Sequence, residues 1–276
     1  MKTLVITDST RGIGYGLATS FLSRGCQVVV SGRLQQSVDE VVAKLGRQFP
    51  AECILGQACD IANYKEVQAL WDAATVRFGK VDIWLNNAAA NSVEQDFWEH
   101  ENDVIDTIIQ TSIIGTMYGC KVAIRGMLKQ GYGHVYTFRG WGSGGEIRLG
   151  SSLYGTSKAA TAYFTKTLVR ELKSTPVKLS SISLGMVMTA LLAQSFRPER
   201  EAQIRTFVNI LGDNVETVTP WLATQILANN KHGAHINWLK PHRIAGRFLM
   251  APFRKRDVVG GAKTKEGQQQ NHKTTS

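Results

Sequence analysis

Short apolar runs alternate with longer amphipathic segments along most of the chain. The run TLVIT, at residues 3–7, is of the kind that lies buried on both faces of a parallel sheet, and six similar runs follow it. Amphipathic segments such as YKEVQALWDAATVRFG separate these runs and predict helices. This alternation predicts an α/β fold, a doubly wound, Rossmann-like parallel sheet in three α/β/α layers and a single domain. The predicted strands are TLVIT (3–7), CQVVVS (26–31), CILGQACD (53–60), VDIWLNN (81–87), HVYTFR (134–139), VKLSSIS (177–183) and AHINWL (234–239).

The first strand leads into a turn rich in glycine. DSTRGIG directly follows TLVIT, glycines stand at positions 12, 14 and 16, and a helical pattern then continues until Gly25. A strand, a small-residue turn and a helix in this order present backbone N–H groups and the positive end of a helix to a phosphate. The order therefore predicts a dinucleotide site. A tight turn without a ligand is the alternative.

The end of the second strand bears on which dinucleotide binds. It finishes in Gly32-Arg33 with no acidic residue, whereas an acid here would hold a ribose 2′-hydroxyl and a basic residue suits a 2′-phosphate. Arg11 lies in the glycine-rich turn DSTRGIG, here called the phosphate turn, and could reach the same 2′-phosphate. Both arginines therefore favour NADP(H) over NAD(H). A solvated surface charge is the alternative for each arginine. Asp60, just beyond the third strand, is placed either to accept from an adenine amino group or to cap the next helix.

The stretch GSGGEIRLGSSLYGTSK, from Gly142 to Lys158, brings together groups suited to proton transfer. Tyr154 and Lys158 are four residues apart at the start of a helical pattern, so both project from one helix face. A nearby ammonium favours the phenolate, and we expect it to lower the pKa of Tyr154. Ser143, on the glycine-rich loop, could donate a hydrogen bond to the oxygen that Tyr154 protonates. A surface tyrosine with no chemical role is the alternative.

Composition and charge narrow the classes of function. The 276 residues are 43% hydrophobic, which suffices for one large domain. The net charge of +10 is concentrated from residue 231 onward, where there are ten basic and two acidic residues. Because no nucleic-acid recognition module accompanies this charge, we expect no nucleic-acid partner. Basic residues interleaved with Phe248, Leu249, Met250 and Phe253 indicate either peripheral contact with an anionic membrane or a helix packed on its own domain.

The four cysteines have no metal-site spacing. They lie in strand-like or helix-like runs at Cys26, Cys53, Cys59 and Cys120, which predicts reduced, buried thiols and no bound metal. No apolar run approaches the ~20 residues of a membrane span, and the sequence has no signal-peptide pattern. We therefore expect a cytoplasmic protein.

Together these motifs resemble the short-chain dehydrogenase/reductase family over about residues 3–240. The matching segments are TDSTRGIG for the family's T-G-x-x-x-G-x-G, ACD, NNAA for N-N-A-G, YGTSK for Y-x-x-x-K, and SLGMVMT for P-G-x-V-x-T. GWGSGG ahead of YGTSK, with VDIWLNN and SLGMVMTALL, is most similar to the chlorophyll b reductase branch of the non-yellow-colouring type.

The resemblance implies a role for each matching catalytic residue. Tyr154 would be the acid that protonates the substrate oxygen, and Lys158 would bind the nicotinamide ribose and lower the pKa of the tyrosine. Ser143 would position the substrate at the shorter spacing of the chlorophyll b reductase branch, since the wider family has its serine where this chain has Trp141. Ser112 stands where the family has the asparagine that holds a proton-relay water.

The resemblance also implies the contacts of an NADP(H) cofactor. Asn87 and Ala88 would pack along it, and Val187 would bind the nicotinamide carboxamide through its backbone. Thr189 would lie near the carboxamide and the pyrophosphate. The remaining expected contacts are Ser9, Thr10, Arg11, Gly12, Ile13, Gly14, Arg33, Asp60, Ile61, Tyr154, Lys158 and Gly185.

Four positions, including Ser112, depart from the family pattern. Asp8 replaces the first glycine of the phosphate turn and places a carboxylate near the expected pyrophosphate. Two negative charges a few Å apart repel at a cost on the order of 1–4 kcal/mol. We expect this to weaken cofactor binding unless Arg11 or Arg33 compensates, and we expect strain if the backbone needs a positive φ. Ala89 replaces the last glycine of N-N-A-G, and Leu184 replaces the proline of P-G.

The favoured function is therefore an NADPH-dependent carbonyl reductase with a small hydrophobic substrate, for which the resemblance offers the 7-formyl group of chlorophyll b. The departures motivate an alternative, a catalytically impaired reductase fold that binds a pigment or protein partner. An alcohol dehydrogenase acting on a sterol or sugar would use the same residues.

The resemblance further implies a homodimer or homotetramer, a domain over residues 1–258 and a substrate lid at 196–230. The polar composition of 259–276 predicts a disordered tail.

Overall fold

The sheet that the sequence predicts is present. The computed structural model describes residues 1–193, 195, 201–251, 253 and 256–258, so the predicted tail at 259–276 lies outside the described residues. The strands are β1 (Thr3–Ile6), β2 (Gln27–Gly32), β3 (Ile54–Ala58), β4 (Ile83–Asn86), β5 (Gly133–Arg139), β6 (Val177–Ser183), β7 (Val187–Met188), β8 (Asp213–Asn214) and β9 (His235–Asn237). Seven parallel strands follow the order β3-β2-β1-β4-β5-β6-β9, and β7 pairs with β8 separately.

Helices cover both faces of the sheet, which confirms the three-layer fold. The helices are α1 (Gly12–Leu22), α2 (Gln35–Gly46), α3 (Tyr64–Phe78), α4 (Asn102–Ile108), α5 (Gly115–Gln130), α6 (Ser152–Glu171), α7 (Ala190–Ala193), α8 (Glu201–Leu211), α9 (Val215–Ala228) and α10 (Pro241–Met250). Alternate β1 residues point to opposite faces, since Leu4 and Ile6 pack with α1, α2 and α9 whereas Val5 packs with α3, α5 and α6.

The strand order places a crevice at the carboxyl ends of β1 and β4. Chain order runs outward from β1 through β2 to β3 on one side and through β4 on the other. Loops that follow two such strands leave in opposite directions, and ligands of open α/β sheets bind in the crevice between them. The glycine-rich turn after β1 and the NNAA segment after β4 therefore lie at the same point.

The second half of the predicted lid is part of the core. Helix α9 packs against α1, and its Val218, Leu222 and Ala223 are fully buried. A Cβ atom on Gly16 would stand 2.5 Å from Val215 Cγ1, so α1 and α9 approach each other closely. Residues 196–200 lie outside the described residues. Helix α9 of the predicted lid is therefore packed against α1, and the lid over the rest of 196–230 stays a prediction.

The basic segment near the C-terminus packs on its own domain. Arg247, in α10, donates to the buried carboxylate of Asp213 at 2.7 Å. Arg256, after α10, donates to the same carboxylate at 2.7 Å. Leu249 and Met250, in contrast, are 74% and 53% exposed. Among the described residues, no helix combines the length and apolar character that crossing a membrane needs.

Candidate active site

The turn between β1 and α1 contains two residues with a positive φ. Asp8 has a φ of 49° and Gly12 a φ of 55°, both in the left-handed region. Side chains are disfavoured there, so Asp8 carries the strain expected from the sequence. Gly14 lies so close to the turn that a Cβ atom there would stand 2.3 Å from the Asp8 carbonyl oxygen. A glycine at position 14 therefore lets α1 begin directly against the strand end.

Arg11 and Arg33 act on the Asp8 carboxylate. Burial raises the pKa of Asp8, and the charges of Arg11 and, less strongly, Arg33 oppose that shift. Both arginines are exposed, so they reach the turn from its solvent side. Their positive charges are thus placed to offset the carboxylate in the phosphate turn.

Asn87 ties the end of β4 to the end of β1. Its side-chain amide donates to the carbonyl oxygens of Thr7 and Asp8, each at 2.9 Å. The Thr7 hydroxyl in turn accepts from the backbone amides of Asn87 at 2.9 Å and Ala88 at 3.0 Å. Asn87 and Ala88 therefore flank the phosphate turn, where the sequence-based interpretation puts a cofactor.

Ser9 uses its polar groups within the protein, and its assignment as a cofactor contact stays a prediction. Its hydroxyl donates to the Ile6 carbonyl at 2.7 Å and accepts from the Ser31 amide at 2.9 Å. Its own amide donates to the Ser31 carbonyl at 2.7 Å. Because both donors of this buried residue are used internally, Ser9 fastens β1 to β2. The neighbouring Thr10 packs against Gly32, where a Cβ atom would stand 2.8 Å from its methyl group.

Asp60 forms a turn and does not cap α3. Its Oδ1 accepts from the Ala62 amide at 2.9 Å, while its own amide donates to Glu66 at 2.7 Å. The N-cap of α3 is Asn63, whose side chain accepts from the Lys65 amide at 3.1 Å. The helix-cap alternative for Asp60 is therefore wrong, and its adenine contact stays a prediction.

Tyr154 and Lys158 meet at the end of β5. Both lie on α6, and Lys158 Nζ is 5.5 Å from the centroid of the Tyr154 ring. A Cβ atom on Gly140 would stand 2.4 Å from Tyr154 Oη and 3.2 Å from Lys158 Cγ. The expected single helix face is thus observed, and Gly140 leaves the space that the phenol occupies.

The pKa values of this pair differ from the sequence-based expectation. Burial raises the pKa of Tyr154 to about 12, although the charge of Arg148 opposes the shift. Burial also lowers the pKa of Lys158 to about 8. The prediction of a lowered tyrosine pKa is therefore wrong for the net shift, because loss of hydration disfavours the phenolate more than nearby charge favours it. Tyr154 is a protonated acid at neutral pH.

Ser143 uses its hydroxyl to hold the loop. Its Oγ donates to the Lys158 carbonyl at 3.3 Å and accepts from the Gly140 amide at 3.1 Å. Arg139 donates to the Ser143 carbonyl at 3.1 Å. Ser143 therefore fixes Gly140 against α6, close to Tyr154, and its hydroxyl would have to leave the Lys158 carbonyl to donate to a substrate.

Ser112 lies in a π-helical segment, Ile109–Ile114, between α4 and α5. Its Oγ accepts from the Ala90 amide at 3.0 Å and donates to the Ala90 carbonyl at 3.4 Å. Ser112 thus holds the segment after β4 in place. The π-helical conformation around it is of a kind that is frequent at functional sites. Ile61 packs beneath this segment, where a Cβ atom on Gly115 would stand 2.7 Å from its Cγ2.

The segment after β6 closes the crevice on its other side. Gly185 has a φ of 67°, Val187 is buried in β7, and Thr189 stands beside the phosphate turn. A Cβ atom on Gly12 would lie 3.7 Å from Thr189 Cγ2. Leu184, in place of the family's proline, is buried in the core. The sequence-distant residues Gly12 and Thr189 therefore share one wall of the site.

The sequence did not predict the ion pair between Glu94 and Arg148, in the loop before α6. The Glu94 side chain is only 4% exposed. The charge of Arg148 also lowers the pKa of Tyr154, against the larger effect of burial. The Gln95 amide donates to the Gly150 carbonyl at 3.1 Å. The carboxylate within NSVEQD and the arginine within GEIRLG were the available signals, but their pairing depends on the fold.

A model of the short chain dehydrogenase family matches residues 2–200. The chain belongs to the short chain dehydrogenase family. It is 34% identical over 230 residues to chlorophyll(ide) b reductase NOL, chloroplastic, of Oryza sativa subsp. japonica, covering 82% of this chain and 66% of that protein. It is 30% identical over 259 residues to the probable chlorophyll(ide) b reductase NYC1, chloroplastic, of Arabidopsis thaliana, covering 88% and 51%.

This short chain dehydrogenase thus spans only 66% and 51% of the length of those two relatives. Its fold is similar to a crystal structure described as 3-ketoacyl-(acyl-carrier-protein) reductase from Brucella melitensis complexed with NADH. The TM-score is 0.75 at 22% identity, covering 86% of this chain and 96% of that one. At this identity the similarity shows the fold alone. The resemblance read from the motifs is confirmed at the level of the family and its chlorophyll b reductase relatives.

Proposed function

We propose that this short chain dehydrogenase is an NADPH-dependent carbonyl reductase that reduces the 7-formyl group of chlorophyll b, or a related hydrophobic carbonyl, to a hydroxymethyl group. The observation that carries the proposal is the meeting of Tyr154 and Lys158 beside Gly140, at the end of β5. The substrate class is supported by the names of the two plant relatives.

The phosphate turn fits a dinucleotide. Helix α1 begins at Gly12, and its N-cap residue Arg11 makes no side-chain hydrogen bond to the first helical amides. Such amides, together with the positive helix end, bind phosphate. Asn87 and Thr189 border the same turn. When bound there, a nicotinamide dinucleotide supplies the hydride.

The protein's own residues supply and stabilise the proton donor. Tyr154, with a pKa of about 12, is protonated at neutral pH and can donate its hydroxyl proton to the substrate oxygen. Lys158, with a pKa of about 8, is mostly charged at neutral pH and favours the phenolate that remains. Ser143 holds Gly140 in place, so that the phenol keeps its position.

NADP(H) is proposed over NAD(H) because two cations stand near the turn. Arg11 and Arg33 both act on Asp8, so both guanidinium groups lie within electrostatic reach of the phosphate turn. Guanidinium binds phosphate with paired hydrogen bonds. In the Arg33→Glu variant we expect the preference for NADPH over NADH to fall at least tenfold.

The test of the proposed function is turnover of chlorophyllide b with NADPH by the full chain. We expect a hydroxymethyl product, and we expect Tyr154→Phe to lose turnover while NADPH still binds. Unchanged turnover in Tyr154→Phe would exclude this mechanism. The impaired-reductase alternative predicts instead that NADPH binds only at millimolar concentration and that Asp8→Gly restores binding.

We further propose a homo-oligomer, as the family resemblance implies. Tyr163, on the outer side of α6, is 75% exposed and would be covered by such an interface. Peripheral membrane contact through the basic C-terminal segment also stays a prediction. Leu249 and Phe253 are exposed in this segment, but Arg247 and Arg256 are paired with Asp213, which reduces the charge available to anionic lipid.

A further inference from the structure

The loop between β5 and α6 exposes large apolar side chains beside the active site. Ile147 and Leu149 are 88% and 77% exposed, and Trp141 is 49% exposed. Exposed apolar side chains that are scattered singly are ordinary, whereas several on one short loop mark a surface that binds a ligand or partner. These three residues are here called the loop face.

Hydrogen bonds within the loop hold its shape. The Glu146 carboxylate accepts from the backbone amides of Gly142 at 3.1 Å and Gly144 at 3.0 Å. These bonds fold the loop back on itself and bring Ile147 near Trp141. The acidic side chain is therefore used within the loop, while the apolar side chains face solvent, which is the reverse of an ordinary surface loop.

Two close contacts join the start of the loop to the catalytic tyrosine. A Cβ atom on Gly140 would stand 2.4 Å from Tyr154 Oη, and a Cβ atom on Gly142 would stand 2.7 Å from Gly155 Cα. Trp141 lies between these two glycines in the chain. It therefore stands at the edge of the crevice that holds the phenol.

The later part of the loop reaches the same tyrosine through Arg148. Burial raises the pKa of Tyr154, and the charge of Arg148 opposes that shift, so the guanidinium lies within electrostatic reach of the phenol. An ion pair with the buried Glu94 holds Arg148 in place. Ile147 and Leu149 are its neighbours in the chain, so both parts of the loop face border one active site.

We propose that the loop face binds the flat apolar body of the substrate while the carbonyl group to be reduced lies at Tyr154. That the ligand is the substrate rests on the proposed function, and continuity with the catalytic crevice favours it over a second copy of the chain. The indole of Trp141 offers a flat surface for stacking, and Ile147 and Leu149 supply apolar area. The face thus selects an extended aromatic ring system that carries a carbonyl at its edge. Its residues take no part in proton transfer.

Titration of the full chain with chlorophyllide a, in the presence of saturating NADPH, tests the loop face without turnover. This pigment has a methyl group in place of the 7-formyl group, so it cannot be reduced there. We expect its dissociation constant, measured by absorbance, to rise about tenfold in Trp141→Ala and in Leu149→Ser. Leu249→Ser is the matched control, because Leu249 is similarly exposed, at 74%, but lies on α10. Unchanged binding in both loop variants, or an equal loss in Leu249→Ser, would overturn the proposal.

Turnover separates selection of the substrate from a structural effect on Tyr154. In Trp141→Ala we expect the ratio of kcat/KM for chlorophyllide b to that for benzaldehyde, an aldehyde with a single ring, to fall about tenfold. In Trp141→Phe, which keeps a flat ring, we expect most of the ratio to return. A structural effect would lower both values together, and an unchanged ratio would therefore overturn the assignment. If wild type reduces neither aldehyde, the proposed function fails while the chlorophyllide a titration still decides on the loop face.

Sedimentation of Leu149→Ser distinguishes the substrate from a second copy of the chain. We expect this variant to sediment as wild type does and to bind chlorophyllide a more weakly. If a second copy covers the loop face instead, Leu149→Ser sediments as a smaller species and binds chlorophyllide a with wild-type affinity. That result would overturn the proposal.

Discussion

The side-chain amide of Asn87 donates to the backbone carbonyl of Asp8 at 2.9 Å and so links the ends of β4 and β1. Asp8 is held in a left-handed conformation at this link, with a φ of 49°. A carboxylate therefore stands in a strained turn that otherwise fits phosphate. Strain and charge act together at one residue, and substitutions can separate them.

Replacing Asp8 with glycine should improve both cofactor binding and stability. Glycine adopts the left-handed conformation without strain, and the variant also removes a negative charge near the pyrophosphate. We expect NADPH affinity, measured by calorimetric titration, to rise about tenfold. Asp8→Asn is the matched control, because it removes the charge while asparagine tolerates a positive φ. Weaker NADPH binding in both variants would show that the carboxylate assists the cofactor.

Gly140→Ala should disable catalysis without disturbing the phosphate turn. The new methyl group would stand 2.4 Å from Tyr154 Oη, so the phenol must move. We expect kcat to fall by about two orders of magnitude, the effect of misplacing a general acid, with NADPH affinity unchanged. Gly155→Ala on α6 is the control, since nothing lies within 4 Å of its Cβ position. Normal turnover in Gly140→Ala would contradict the proposed position of the acid.

The pH dependence should follow Lys158 and not Tyr154. We expect kcat/KM for carbonyl reduction to decline as pH rises through about 8, because the lysine ammonium then loses its proton. The phenol stays protonated far above this pH, since its pKa is about 12. A decline that persists unchanged in Lys158→Met, measured as residual activity against pH, would assign it to another group.

The same lysine should make the protein more stable in mild alkali. Its pKa falls from an ordinary value of 10.5 to about 8 in the folded state, so between these values the unfolded chain binds more protons. Stability then rises with pH across that window. Urea denaturation at pH 7.5 and 9.5 checks this. Lys158→Met should lose this part of the pH dependence, whereas Lys166→Met on the same helix should keep it.

Asp213 should be essential for attaching α10. Its buried carboxylate accepts from Arg247 and Arg256 at 2.7 Å and from Trp238 Nε1 at 2.6 Å. Asp213→Asn leaves two arginines without their counter-charge, and we expect a loss of about 3 kcal/mol in the free energy of unfolding. The exposed Asp39→Asn is the control. If both variants unfold at the same temperature, α10 is held by its apolar contacts instead.

Much of the fold could be predicted from the sequence, because strands buried on both faces are continuous apolar runs and helices show the helical period. The seven strands of the central sheet, the phosphate turn and the shared helix face of Tyr154 and Lys158 follow from such local patterns. Strain at Asp8 was expected only if its φ were positive, and the φ of 49° in the structure meets that condition.

Other features depend on which groups the fold brings together and how far it removes them from water. Burial, not the nearby lysine, determines the pKa of Tyr154, and no sequence spacing reports burial at that scale. The hydroxyls of Ser9 and Ser143 bond to backbone groups brought near by the sheet and by α6. The ion pair of Glu94 with Arg148 joins residues 54 positions apart. The sequence determined the elements and the candidate residues, whereas desolvation and long-range contacts, which exist only in the packed structure, decided what those residues do.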